Sequence, residues 1–220
     1  MKPANTKTAE TTAGIDLHGL APGFADPVLD AQAVFRCVLD AMARPGRIVT
    51  IPVAVEAPAP LDAATAALCL ALADFETPVW TDAAGSAGPW LRFHCGARIE
   101  GDPVLAGFAV VTDAANLLPL ARFAPGSDAF PDRSCTLFVQ VPALTGGPPA
   151  VQRGPGIEPG IERTAAIGID GLPAGFWREW AANHALYPVG IDIVFTSGSG
   201  MLGLPRSIGA SIGANIGAGA

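Results

Sequence analysis

Glycine and proline break this chain at short intervals, 26 and 21 of them in 220 residues, and the segments between the breaks alternate between helical and extended patterns. "DPVLDAQAVFRCVLDAMARPG" opens with Asp26 in the N-cap position and Pro27 at the first helical position. It carries Val34, Val38 and Met42 on one stripe, with Phe35 and Leu39 beside it, and stops at Pro45-Gly46. That pattern predicts an amphipathic helix. "RIVTIPV" then reads as a strand, "LDAATAALCLALADFET" as a largely buried helix capped by Asp62, and "PVWTD" as another strand. The alternation runs on less sharply through "WLRFHC" and "GFAVVTD" to a short helix, "NLLPLARF". "RSCTLFVQV" reads as a central strand and "TAAIGID" as a weaker one. "PAGFWREWAANHALYPVG" predicts a helix with Phe176, Trp177, Trp180 and Leu186 on its inner face. "IDIVFTS" and "MLGLPRS" form a closing hairpin across "GSG". Strands and helices in this mixed order imply a single α/β domain, a mixed sheet sandwiched by helices, rather than a strict βαβ repeat.

The two ends read differently. Residues 1–25 are rich in Thr, Ala, Gly and Pro without periodicity and predict a flexible leader. "SIGASIGANIGAGA" repeats itself without a charge, so residues 208–220 predict a flexible tail, leaving 26–207 as the folded domain. Half of the chain is apolar and only 15% is charged, which is ample for one sizeable core. The net charge is −7 and the basic residues never cluster, which disfavours a grip on nucleic acid. "MKPANTKTAETTAG" lacks the apolar stretch of a secretion signal, and the longest apolar run, "AATAALCLALA", is too short to cross a bilayer. A cytoplasmic protein without a membrane partner is expected. Cys37, Cys69, Cys95 and Cys135 form no CxxC pair and sit in apolar segments, as small core residues do.

Both lysines, Lys2 and Lys7, lie in the leader. Imine chemistry needs a buried lysine and a P-loop needs its GK[ST], so the folded region is expected to run neither. Anions would have to be met by arginine, histidine or backbone amides. Arg36, Arg44, Arg92, Arg133 and Arg206 stand at element ends or in apolar context, where a guanidinium needs either a structural carboxylate or a ligand. The histidines, His18, His94 and His184, show no metal-ligand spacing, and no metal is expected. If "LRFHC" is extended, Arg92 and His94 share a face, fit either for anion contact and proton transfer or for structural hydrogen bonding. Asp74 and Glu76 follow a helix end, where a carboxylate needs a turn to cap or an arginine to meet. No GxSxG elbow marks a hydrolase. The glycine-rich "VQRGPGIEPGIE" is followed by Pro159 and β-prone residues rather than by a helix. It therefore reads as strand-turn-strand punctuation more than as a phosphate cradle, with Arg153 left as a contact.

Taken in order, "DAQAVFRCVLDAMARPG", "LADFETPVW", "LRFHC", "DRSCTLFVQVPALTGG", "RGPGIE" and "YPVGIDIVFTSGSGMLGLPRS" resemble the PhnH subunits of the bacterial carbon-phosphorus lyase system over about residues 26–207. The resemblance implies a homodimer whose fold is like that of pyridoxal-phosphate-dependent transferases but without the cofactor. It implies PhnG, PhnI and PhnJ as partners. It also implies a part in making α-D-ribose 1-methylphosphonate 5-triphosphate from ATP and methylphosphonate. Arg36, Asp74, Arg92, His94, Arg133, Asp192 and Arg206 are the matching polar positions and the candidates for ligand contact. Two readings stay open: a subunit with a ligand site of its own, and a purely structural assembly subunit. A stand-alone transferase finds neither nucleophile nor cofactor anchor.

Overall fold

The computed structural model describes residues 20–157 and 166–212. Among the described residues there are four α-helices: α1 (Pro27–Ala43), α2 (Ala63–Leu72), α3 (Gly88–Cys95) and α4 (Phe176–His184). The strands are β1 (Ile48–Thr50), β2 (Val79–Thr81), β3 (Ile99–Glu100), β4 (Phe108–Val111), β5 (Thr136–Gln140), β6 (Ala150–Arg153), β7 (Ala166–Ile167), β8 (Asp192–Ser197), β9 (Gly200–Leu204) and β10 (Gly209–Ile212). Seven of them form one mixed sheet in the order β1-β9-β8-β5-β4-β2-β3. β3, β2, β4, β5 and β8 run parallel, and the β8–β9 hairpin turns the sheet antiparallel at the β1 edge. The mixed α/β domain expected from the alternation is present.

Period-two alternation along the central strands sorts their side chains into two cores. Val110, Phe138, Val194 and Met201 face α1, α2 and α3, where Val34, Ala67, Leu68, Trp90 and Leu91 close the layer. Val111, Leu137, Val139, Ile193, Phe195 and Leu204 face the other way, onto Phe176 and Trp180 of α4. The second layer is completed by a smaller sheet, β10-β6-β7, whose β6–β7 pair follows the strand-turn-strand reading and whose β10 was not expected. Its strand β10 lies in the segment expected to be a flexible tail. Ile208 and Ala210 are buried against α4's layer, and the Trp180 indole N–H donates to the Ile208 carbonyl at 2.9 Å. The folded region therefore reaches Ile212. At the other end it begins before Asp26, because the Ala21 carbonyl accepts the Trp90 indole N–H at 2.8 Å.

The helix signals at Asp26 and Asp62 are realised as caps. The Asp26 carboxylate accepts the N–H groups of Val28 and Leu29, and that of Asp62 accepts Thr65 N–H at 2.7 Å. Several elements differ in detail from the sequence reading. "WLRFHC" is helical, not extended: α3 starts with a proline in its first turn and stops at Gly96, whose φ of 66° suits a residue without Cβ. On α1, Phe35 and Leu39 point away from the core, 46% and 53% exposed, while Val34 and Ala41 form the buried stripe. "NLLPLARF" resolves into short 3₁₀ turns, Ala114–Asn116 and Leu120–Arg122. On α4, Leu186 lies past the helix end and is exposed.

Candidate functional site

In open α/β sheets, ligands sit outside the carboxyl ends of the parallel strands, where strand order reverses. Here the order reverses at β2, which has β3 on one side and β4 on the other. Asp82 follows β2, and its carboxylate accepts Thr112 N–H at 3.0 and 3.1 Å and the Thr112 hydroxyl at 3.0 Å, tying the ends of β2 and β4 together. Gln140, the last residue of β5, donates through Nε2 to the carbonyls of Pro60 and Thr112, both at 3.0 Å, and accepts Asp62 N–H at 2.8 Å. These clamps shape a crevice of about 410 Å³ lined by Asp62, Thr112, Asp113, Gln140, Pro142 and Gly198. Burial pushes the Asp62 carboxyl up from its ordinary value, against the lowering effect of the hydrogen bonds from Thr65. Among the described residues, no basic side chain lines the crevice. Its carboxylates and carbonyls suit hydroxyl or amino donors and repel a bare phosphate.

The residues singled out from the sequence fall in several places. Arg206 and Asp192 meet beneath the amino-terminal end of β5, with side chains only 15% and 16% exposed. The guanidinium bonds both carboxylate oxygens, the Pro131 carbonyl at 2.8 Å and the Ser134 hydroxyl. Arg133 lies close by in sequence but is exposed, its guanidinium carbon 4.2 Å from the centre of the Phe130 ring. It shares a groove of about 540 Å³ with Glu76, Thr77, Asp132 and Ser134. Asp74 stands at the neighbouring turn, where it accepts the N–H groups of Glu76 and Thr77 and the Thr77 hydroxyl at 2.9–3.0 Å. The turn cap is the role it fills.

Arg92 and His94 do not share a face, because two positions on a helix are separated by about 200°. His94 packs on the Trp90 ring and its Nε2 lies 3.0 Å from the Ala21 carbonyl, so it fastens the incoming chain. Arg92 is exposed, as is Arg36 on α1. Arg44 pairs with Asp40 within α1, the structural role open to it from sequence.

The loop "VQRGPGIEPGIE" joins β6 to its antiparallel partner β7, the strand-turn-strand arrangement expected; residues 158–165 lie outside the described region. A Cβ on Gly156 would stand 2.7 Å from the Ala43 carbonyl, so this loop closes against the end of α1. Gln152 in β6 is fully buried, and neither of its amide atoms has a hydrogen-bond partner among the described residues. Cys69 and Cys135 are buried, Cys37 and Cys95 partly so. Burial pushes the Cys95 and Cys135 thiols up to about 12, far from a nucleophilic thiolate at neutral pH. Among the described residues, no three His, Cys, Asp or Glu side chains are grouped to hold a metal ion, and no helix is long and apolar enough to cross a membrane. Sequence reasoning passed over Asp82, Thr112 and Gln140. Asp82, at the end of "PVWTD", was the one position whose place after a strand could have marked it.

Comparison with known proteins bears on the whole of this architecture. A family model described as "Bacterial phosphonate metabolism protein (PhnH)" matches residues 22–211. A Rhizobium meliloti (strain 1021) protein named alpha-D-ribose 1-methylphosphonate 5-triphosphate synthase subunit PhnH is 45% identical over 187 residues, covering 84% of this chain and 92% of that protein. A Stutzerimonas stutzeri protein, "Putative C-P lyase subunit protein HtxG", is 27% identical over 180 residues, covering 80% of this chain and 83% of its own length.

Proposed function

The chain belongs to the PhnH family of bacterial phosphonate metabolism proteins, and we propose that it is the subunit of that family in an assembly forming α-D-ribose 1-methylphosphonate 5-triphosphate from ATP and methylphosphonate. The observation that carries this is the 45% identity to a synthase subunit over 92% of that subunit's length. The chain acts as an enzyme only within the assembly. Its partners are PhnG-, PhnI- and PhnJ-type subunits together with a second copy of itself. The exposed apolar residues of α1, together with exposed Phe75, Val104 and Leu105, favour such contacts, because a monomer gains nothing by leaving them in water. The reading without pyridoxal phosphate is supported by the placement of the lysines, both within the first seven residues and outside the described domain. A cytoplasmic location is favoured by the small-molecule nucleotide chemistry.

Co-expression with the other subunits tests the reading: the tagged chain should recover them in stoichiometric amount and restore growth of a deletion strain on methylphosphonate. Failure to recover them overturns it. The purely structural reading has its own support, since Arg206, Asp192, Asp74 and His94 are all engaged in internal hydrogen bonds. Arg36, Arg92 and Arg133 remain exposed. Replacing Arg92 and Arg133 by alanine decides between the two. Loss of growth with an intact assembly supports a ligand role, and persistence of growth supports the scaffold.

A further inference from the structure

A further cavity among the described residues belongs to none of the positions above. It measures about 760 Å³ and lies between the loop 170–175, the first turns of α4 and the end of β10. Its walls are mainly apolar, with Ile169, Leu172 and Ile212, and its polar groups are few: Asp170, Arg178 and Ser211. A mostly apolar concavity of several hundred Å³ with a small number of placed polar groups is the common form of a small-molecule site. Trp177 contributes a half-buried indole, held edge-on by Phe176 with ring centres 5.0 Å apart. Arg178 contributes an exposed guanidinium that no described carboxylate holds in an ion pair. Gly175, with φ 89°, lies beside that guanidinium: a Cβ there would stand 3.3 Å from Arg178 Nη2. A side chain at 175 would make the guanidinium give way by a few tenths of an ångström.

Charge separates this cavity from three others among the described residues. The carboxyl-end crevice has Asp62 and Asp113 and no base. The cavity between the turn Leu120–Arg122 and α4 has only Glu179, whose carboxylate accepts Leu120 N–H at 2.8 Å. The Arg133 groove sets two acids, Glu76 and Asp132, against one base. Only the Trp177–Arg178 cavity balances its single acid with a guanidinium, and only it adds an indole.

We propose that this cavity binds an adenine nucleotide, with the base against Trp177 and a phosphate on Arg178. Indole and guanidinium side by side suit a ligand that is planar and apolar at one end and anionic at the other. The choice of nucleotide rests on the reading of the chain as a subunit of an ATP-using assembly; the cavity and its lining do not.

Calorimetric titration of the purified full chain with AMP, ATP, adenosine and inorganic phosphate tests it. The nucleotides should bind, and adenosine and phosphate should each bind about tenfold or more weakly. Arg178→Gln should weaken nucleotide binding by about ten- to hundredfold, as loss of a charge-assisted contact does. This variant should leave the melting temperature and recovery of the partner subunits unchanged, because Arg178 is exposed. Trp177→Phe, which keeps an aromatic ring in the core contact, should weaken nucleotide binding without affecting phosphate. No nucleotide binding by the full chain, or equal affinity in Arg178→Gln, overturns the proposal. Membership in the assembly is read separately, from subunit recovery.

Discussion

Arg206 spends its guanidinium inside the protein. A charge that is 15% exposed is stable there only because the Asp192 carboxylate, the Ser134 hydroxyl and the Pro131 carbonyl take its donors. Removing one partner strands the other. Asp192→Ala is therefore expected to cost about 3–5 kcal/mol, read as a large fall in melting temperature. A double variant that also replaces Arg206 by methionine should recover much of the loss. If Asp192→Ala changes stability by less than about 1 kcal/mol, the pair is not the structural unit its bonds suggest. From the sequence, a ligand contact stays open for the same arginine beside the favoured structural pairing, because residues 131, 134 and 192 do not adjoin it along the chain. What decides a guanidinium's role is which acceptors the fold brings to it, and that information is not local. Gln152 is the converse case: nothing in "AVQRG" marks a glutamine that folding leaves fully buried without a described partner.

Elements whose signals are local were readable, and those that depend on distant packing were not. Asp26-Pro27 and Asp62 announce α1 and α2 because an N-cap satisfies N–H groups two or three residues away. α3 carries comparable signals in Pro89 and Gly96, but its eight residues are too few for the sequence pattern alone to separate helix from strand. β10 had no local signal: its Ile208 and Ala210 are buried only because β6 and α4 are there to cover them. The crevice at the carboxyl ends collects residues 62, 112, 140 and 198, which only the strand order brings together. At α2 the cap also has a pH dependence. Burial raises the Asp62 carboxyl above its ordinary 3.8, so the folded protein takes up that proton at a higher pH than the unfolded chain does. This group favours folding most below 3.8, and the advantage is lost as pH rises through the raised folded value. Asp62→Asn keeps an acceptor for Thr65 N–H and removes the buried charge. It should equal or exceed the parent in stability at pH 7, with the parent gaining on it as the solution is acidified. Asp62→Ala, which loses the cap, should cost about 1 kcal/mol at pH 7 and more at pH 4, where the parent has gained the Asp62 proton. Denaturant titrations at pH 7 and pH 4 measure all three proteins, and an Asn variant weakened at pH 7 as much as the Ala variant would contradict the account.

At the scale of the molecule, α1 is a helix with two apolar faces. Val34 and Ala41 bury one against α2 and the sheet, while Val28, Phe35 and Leu39 recur at intervals of seven and four on the other, so that they line up one above the next in solvent. Arg36 adjoins that outer stripe, giving it a polar edge of the sort interfaces carry at their rims. A surface helix in a monomer has no use for such a stripe, and the chain's low charge content makes exposing it more costly in solubility. A second copy is the partner proposed for it, since the same stripe on both molecules is self-complementary in an isologous contact. Leu39→Glu and Phe35→Glu should each turn a dimer into a monomer, measured by sedimentation equilibrium of the isolated chain. The melting temperature extrapolated to low concentration should stay the same, because neither side chain supports the core. A parent chain that sediments as a monomer, or variants that remain dimeric, would reassign the stripe. Recovery of the other subunits by the same variants then tells whether one of them covers it. If recovery is lost while the dimer persists, α1 joins this chain to the assembly and a different surface joins its two copies.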